Sequence, residues 1–290
     1  MRNKAVQKEY LMPAVKWRAY MENKVLLVLI DGLRPDALEQ CSHSFLKKFM
    51  HKCSYTKRGL SVNPSVTLPC HMSIFHSVNP DRHGVMENIY VRPPHPVNGL
   101  FEVLAKNKKK SFFFYTWEEL RDIGRPGSLA RQEFCSYEKY GRQADVCMCL
   151  RTIEALKNEQ PDFIFYYMTC PDEVGHKYGW MSTEYMDAVN FASETVKKIV
   201  EALPENYNLI ITADHGGHDR THGTTMAEDM MIPMMFYGTA WEADKEMNNI
   251  GLLDLAPTIA SLLGCEPDSV WEGSNILSNN NCIEFIFFLA

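Results

Sequence analysis

The sequence predicts an α/β domain built on an open, mainly parallel β-sheet with helices on both faces, and three observations predict it. The apolar runs Lys24–Ile30, Asp162–Met168 and Tyr207–Thr212 lack the polar alternation of a half-solvated strand, as expected of strands buried on both faces. Helical patterns separate them, and strands alternating with helices of this length build parallel crossover units. No internal repeat, low-complexity tract or Gly/Ser/Pro-rich linker divides the 290 residues, so residues 21–280 are expected to form one domain.

Residues 1–20 read as a polar leader, helical in places, ahead of the first strand at Lys24–Ile30. A helical pattern follows at Pro35–Cys53 and another at Pro69–Ser77, where Pro69 suits a first helical turn and makes Thr67 a natural N-cap. Residues 86–98 and 116–140, rich in Pro, Gly and charge, read as loops or a small cap over the sheet edge. Between them lie a helix at Gly99–Lys106 and a weaker strand at Ser111–Tyr115. Helices are expected at Gly141–Asn158, Thr183–Leu203 and Leu252–Leu263, and a further weak strand at Ile232–Tyr237. Residues 281–290 form a tail whose apolar end suits an added strand, a dimer contact or a loose terminus.

A content of 46% hydrophobic and 23% charged residues excludes disorder as the main state. A net charge of −6 and a pI near 5.9 advertise no phosphate-neutralising surface, which argues against nucleic acid as a partner. The nine cysteines are odd in number and scattered, and no apolar run of signal-peptide length opens the chain, so a reduced, cytoplasmic setting is expected. The longest apolar runs, Val25–Ile30 and Ile283–Ala290, fall far short of the roughly 20 residues of a membrane helix.

Each strong strand leads into an acidic residue: Asp31-Gly32 after the first, Asp172 with His176 four residues on after the second, and Asp214-His215 after the third. His218 and His222 follow within one short loop. Open α/β sheets bind ligands at the carboxyl ends of their strands, so the three carboxylates converge there. Converging carboxylates repel one another unless a cation sits among them. Asp and His together, without a cysteine, suit Zn²⁺ or Mn²⁺. One Asp-Gly at a strand end is ordinary turn chemistry. Three such ends with three histidines are not explained by turns. Thr67 has two readings that the sequence geometry leaves open: a capping hydroxyl, or a hydroxyl at a phosphate-binding helix N-terminus.

Asp31-Gly32, the Asn63-Pro-Ser-Val-Thr67-Leu-Pro-Cys-His71 segment, His83-Gly84 with Asn88, Asp172-x-x-Gly-His176, Asp214-His215-Gly216 and His222-Gly223 resemble, in order, the motifs of the alkaline phosphatase superfamily. The match looks closest to its nucleotide pyrophosphatase/phosphodiesterase branch, and runs from about residue 24 to about residue 275, including Asp254–Gly264 and Gly273. The resemblance implies an alkaline phosphatase-like three-layer sandwich and two zinc ions acting on a small phosphorylated substrate. Carried over by position, Asp172, His176 and His222 hold one metal. Asp31, Asp214, His215 and the Thr67 oxygen hold the other. Thr67 becomes the nucleophile, and Asn88 donates to a phosphoryl oxygen.

Two departures qualify this. His222 follows His215 by only seven residues, so the long insertion of larger relatives is missing and nucleotide specificity is not inherited. His218 competes with His222, which is preferred because it precedes Gly223 as the motif requires. Cys70 reads as buried filler, His71 as a locally packed residue and His83 as a turn-fixing one. The expected reaction is phosphodiester or pyrophosphate cleavage through a threonine intermediate. A phosphomonoesterase, a phosphomutase and an inactive metal-binding protein are the alternatives.

Overall fold

The structure is a computed structural model that describes residues 23–91 and 96–277. The expected leader and tail fall outside those residues. In chain order the elements are β1 (Lys24–Ile30), α1 (Pro35–Gln40), α2 (Phe45–Met50), β2 (Ser54–Leu60), α3 (Thr67–His76), α4 (Pro80–His83), α5 (Leu100–Lys106) and β3 (Ser111–Tyr115). There follow β4 (Arg131–Phe134), α6 (Tyr137–Tyr140), α7 (Arg142–Asn158), β5 (Phe163–Met168), α8 (Cys170–Tyr178) and α9 (Thr183–Glu201). Then come β6 (Tyr207–Thr212), α10 (Ala227–Met230), β7 (Met231–Tyr237), β8 (Lys245–Glu246) and α11 (Leu255–Leu262).

The strands form one sheet in the order β4-β3-β5-β1-β6-β7-β2-β8, in which only β7 runs against its neighbours. This is the expected mainly parallel sheet. Side chains of β5 show how it is covered on both faces. Phe163 meets Phe101 of α5, Phe165 meets Phe75 of α3 and Tyr167 meets His71 of α3, whereas Tyr166 between them donates to the Asp145 carbonyl of α7. The alternation of a strand thus serves two helical layers, α3, α5 and α11 on one side and α1, α2, α7 and α9 on the other. Each fully buried ring contributes roughly 1.5–3 kcal/mol.

Several boundaries differ from expectation. The helix expected over Pro35–Cys53 breaks into α1 and α2, because His43 leaves the helical path to take its N–H to Asn190 Oδ1 (2.8 Å) and its ring to Ser193 Oγ (2.8 Å) on α9. β2 and β4 were not legible as strands: Ser54–Leu60 and Arg131–Phe134 are polar or alternating, as befits strands near or at the sheet edges. β4 and α6 lie in the segment expected to be loop, 116–140. The Asp172 segment, expected as a strand end, is the helix α8. No helix among the described residues is long and apolar enough to cross a membrane.

Candidate active site

β1 is flanked by β5 and β6, so the chain leaves three adjacent strands at the same end of the sheet and delivers Asp31, Asp172 and Asp214 together. Gly32 makes the approach close. Its φ is +66°, and a Cβ there would lie 3.0 Å from the Asp172 backbone. The Gly32 carbonyl is held by Trp180 Nε1 (2.9 Å) and the Tyr185 hydroxyl (2.8 Å), which fixes the turn carrying Asp31. Trp180 itself lies against Gly217, where a Cβ would come within 2.2 Å of the indole.

His215 sits among Asp31, Asp214 and Thr67. Its Nδ1–H donates to the Gly216 carbonyl (2.7 Å), which leaves Nε2 as a bare lone pair. That atom faces Asp31 Oδ1 at 3.3 Å, Asp214 Oδ2 at 3.4 Å and Thr67 Oγ1 at 3.1 Å. The other oxygen of each carboxylate is engaged: Tyr167 donates to Asp31 Oδ2, and the N–H groups of Gly32 (3.3 Å) and His215 (3.0 Å) donate to Asp214 Oδ1. The capping reading of Thr67 is corrected here. α3 begins at Thr67 with Val66 as its N-cap, and the Thr67 hydroxyl is turned to His215 Nε2 in the site.

The second group is Asp172, His176 and His222. Asp172 and His176 are one turn apart on α8 and share a face. His176 Nδ1 is turned to the Arg220 carbonyl (3.1 Å) and His222 Nδ1 to the Ser65 carbonyl (2.8 Å), so both present unprotonated Nε2 atoms, 3.1 Å apart. These lie 3.5 Å and 3.7 Å from the Asp172 oxygens. His218 is elsewhere, bonded to Asp229 at 2.7 Å. His83 accepts from the Val85 N–H (3.1 Å) and so fixes its turn, and His71 bonds the Thr67 carbonyl (2.8 Å).

Two bare imidazole nitrogens face each other, and carboxylate oxygens crowd a third whose donor is the Thr67 hydroxyl, so acceptors outnumber donors. Asp31 Oδ1, Asp172 Oδ1 and Asp214 Oδ2 are buried with no hydrogen-bond partner. Oxygen and nitrogen donors gathered in this way fit divalent cations, and the groups Asp172/His176/His222 and Asp31/Asp172/His215 each converge closely enough to hold one. Electrostatics agree. Burial, then the charges of Asp214 and Asp172, lifts the Asp31 carboxyl well above the usual range. Burial lifts Asp172 and Asp214 as well. Burial also pushes His215 down to about 4 and His222 to about 3, so their lone pairs are free at neutral pH.

The cleft over these groups has a volume of about 120 Å³ and is also lined by Asn88, Trp117 and Glu173. Asn88 Oδ1 accepts from the Leu68 N–H (3.0 Å), which caps α3 and leaves Nδ2 as the free donor. This departs from expectation, since the second N–H of the helix is used by Asn88. A larger cavity of about 610 Å³, beside Asn23, Leu203 and Tyr237, contains none of these residues. Sequence reasoning missed Tyr167, Trp180, Tyr185 and Asp229. Only Tyr167 carried a signal, its place near the end of a strand that leads into the site.

The model of the type I phosphodiesterase / nucleotide pyrophosphatase family matches residues 25–112 and 100–228. Among curated proteins, a venom phosphodiesterase of Macrovipera lebetinus is 25% identical over 226 residues, which cover 68% of this chain and 26% of the snake protein. Human ectonucleotide pyrophosphatase/phosphodiesterase family member 7 is 24% identical over 67% of this chain and 48% of its own length. The chain thus spans about a quarter to a half of these relatives. Among solved structures, murine ectonucleotide pyrophosphatase/phosphodiesterase 5 superposes with a TM-score of 0.73 at 16% identity, over 88% of this chain and 99% of that one. A 2-O GAG sulfatase gives 0.75 at 14% identity, over 89% and 74%. These two show the fold, an alkaline phosphatase-like α/β sandwich.

Proposed function

Because the chain belongs to the type I phosphodiesterase / nucleotide pyrophosphatase family, we propose that it hydrolyses phosphodiester or pyrophosphate bonds in small phosphorylated substrates, with Thr67 as nucleophile beside two divalent metal ions, zinc or manganese. The observation that carries this reading is the set of buried, unpartnered oxygens of Asp31, Asp172 and Asp214, two of which converge on the same His215 Nε2 that the Thr67 hydroxyl meets. Asp172, His176 and His222 would hold one cation, and Asp31, Asp214, His215 and Thr67 Oγ1 the other. When bound, the cations supply Lewis-acid charge that makes a hydroxyl nucleophilic and stabilises a departing oxygen.

The remaining work belongs to the chain. Thr67 Oγ1 attacks phosphorus, the bond to the leaving group breaks with the hydroxyl proton passing to the departing oxygen, and a phosphothreonine-type intermediate forms that keeps the substrate's remaining ester group. Water then displaces Thr67 from phosphorus, so two inversions give net retention. Asn88 Nδ2 donates to a non-bridging oxygen, a contact worth on the order of 2–4 kcal/mol in comparable sites. Trp180 and Tyr185, through the Gly32 carbonyl, hold the turn carrying Asp31 against Asp172.

A singly charged diester is the favoured substrate. Among the described residues no Arg or Lys lines the cleft, while Glu173 does. Arg34 is committed to Asp36 and the Gly217 carbonyl, and Arg121 to Glu118 and Asp122; Arg82 is exposed and Arg92 lies outside the described residues. We therefore expect kcat/KM for an aryl phosphodiester to exceed that for the matched aryl monoester. Asn88→Ala should slow the diester reaction by roughly 10²-fold and, by uncapping α3, cost about 1 kcal/mol of stability. A tenfold monoester preference would overturn the diester assignment.

The loop after β6 gives a second test. His222→Ala removes a direct ligand and should lower bound metal and rate together, by more than the roughly 10- to 100-fold in affinity that loss of an outer partner costs. His218→Ala removes a partner of Asp229 and should leave metal content within about twofold, with a stability loss of about 1 kcal/mol or less. The reverse pattern would place the wrong histidine at the metal.

A further inference from the structure

α8 carries two of the proposed ligands, and its start is not capped from within. Thr169 stands at the N-cap position without a side-chain cap bond, its hydroxyl turned instead to Thr116 Oγ1 (2.7 Å). Pro171 in the first turn has no N–H to satisfy. The exposed donors are met from another element. Asp145, in the first turn of α7 and fully buried, accepts from the Thr169 N–H at Oδ1 (3.1 Å) and from the Cys170 N–H at Oδ2 (3.1 Å). Thr116 Oγ1 adds a third bond to Oδ1 (3.0 Å).

From this arrangement we infer that Asp145 is a positioning residue of the metal centre: its carboxylate clamps the first turn of α8 and so sets Asp172 and His176 in register with His222. The clamp is bidentate on two successive N–H groups, which fixes both the translation of the helix start and its rotation. Cys170 lies only two residues before Asp172, so little backbone intervenes to absorb a slip. A buried carboxylate is a costly cap, and Thr169 occupies the place from which a hydroxyl ordinarily does that work. A negative charge also suits the positive end of the helix dipole. Asparagine at this position keeps one carbonyl and sets an amide –NH₂ against the second N–H, so the clamp becomes single.

This inference rests on the proposed two-metal reading, and the test separates the two. Metal-free wild-type protein is titrated with Zn²⁺ and with Co²⁺, whose visible spectrum reports ligand geometry, and the step lost in His176→Ala identifies the α8 centre. Asp145→Asn should weaken that step by about 10- to 100-fold and alter its Co²⁺ spectrum, while the Asp31/Asp214/His215 step stays within about threefold. A lowered melting temperature with both steps and the spectrum unchanged would make Asp145 a structural cap only and overturn the inference. If Asp145→Asn does not fold, Thr116→Val decides by the same two readouts, with a smaller shift confined to the α8 step expected and no shift overturning. Wild-type protein that binds neither metal would instead sink the two-metal reading itself.

Discussion

Replacing Thr67 by alanine should lower kcat/KM by about 10⁴-fold or more while leaving the fold and most of the metal in place. The magnitude follows from losing the proposed nucleophile. The selectivity follows from geometry, because among the described residues the Thr67 hydroxyl meets His215 Nε2 rather than an N–H of its helix. Asp31, Asp214 and His215 remain to hold a cation without it. An ordinary capping threonine would behave in the opposite way, losing roughly 1 kcal/mol of stability and keeping its activity. Steady-state kinetics on an aryl diester, a thermal melt and metal analysis of the same preparation decide the matter. Retained turnover with a lowered melting temperature would return Thr67 to a structural role.

Much of this candidate site could be read from the chain because Asp31 and Asp214 directly follow strands, and the strands announce themselves. Lys24–Ile30 is apolar after its first residue and Tyr207–Thr212 is buried along its whole length around an apolar centre, so their boundaries and the acids that follow them were legible. What escaped were elements whose burial is partial. β4 reads Arg-Gln-Glu-Phe and alternates between half-buried and exposed positions, so nothing in its composition separates it from a charged loop. α8 was hidden for another reason: nine residues beginning Cys-Pro-Asp-Glu look like the end of β5, and only the Asp172–His176 spacing, which suits one helical turn, hinted at it. The Thr67 question required side-chain positions, since a hydroxyl at a helix start looks the same whether it caps or reacts. Asp145 and Asp229 were invisible for the same reason. Each is an acid in a polar stretch, and its importance lies in which distant N–H or imidazole it meets.

Removing metal should be the most damaging change of all. Purified protein is expected to carry close to two divalent ions, and chelation should abolish turnover, which zinc or manganese restores. The buried, partnerless oxygens of Asp31, Asp172 and Asp214 require it, since three adjacent carboxylates do not remain ionised together without cations. The same groups predict a pH signature. In the metal-free protein burial raises all three carboxyls, Asp31 and Asp172 well above the unfolded range, so the folded form is fully favoured below the unfolded pKa and loses stability as pH rises through the folded values. His215 and His222, held down to about 4 and about 3, act oppositely, but only below the unfolded value near 6.5. Above the unfolded histidine value the opposing histidine effect is gone, and because a cation must displace the protons that these raised carboxyls hold, the stabilisation gained on adding zinc should grow as pH rises. At a zinc concentration a thousandfold above Kd that gain amounts to about 4 kcal/mol per site. Melting curves with and without zinc at pH 6.5 and 8.5 measure it. Full activity in a metal-free preparation, or a zinc stabilisation that shrinks as pH rises, would refute this account of the three aspartates.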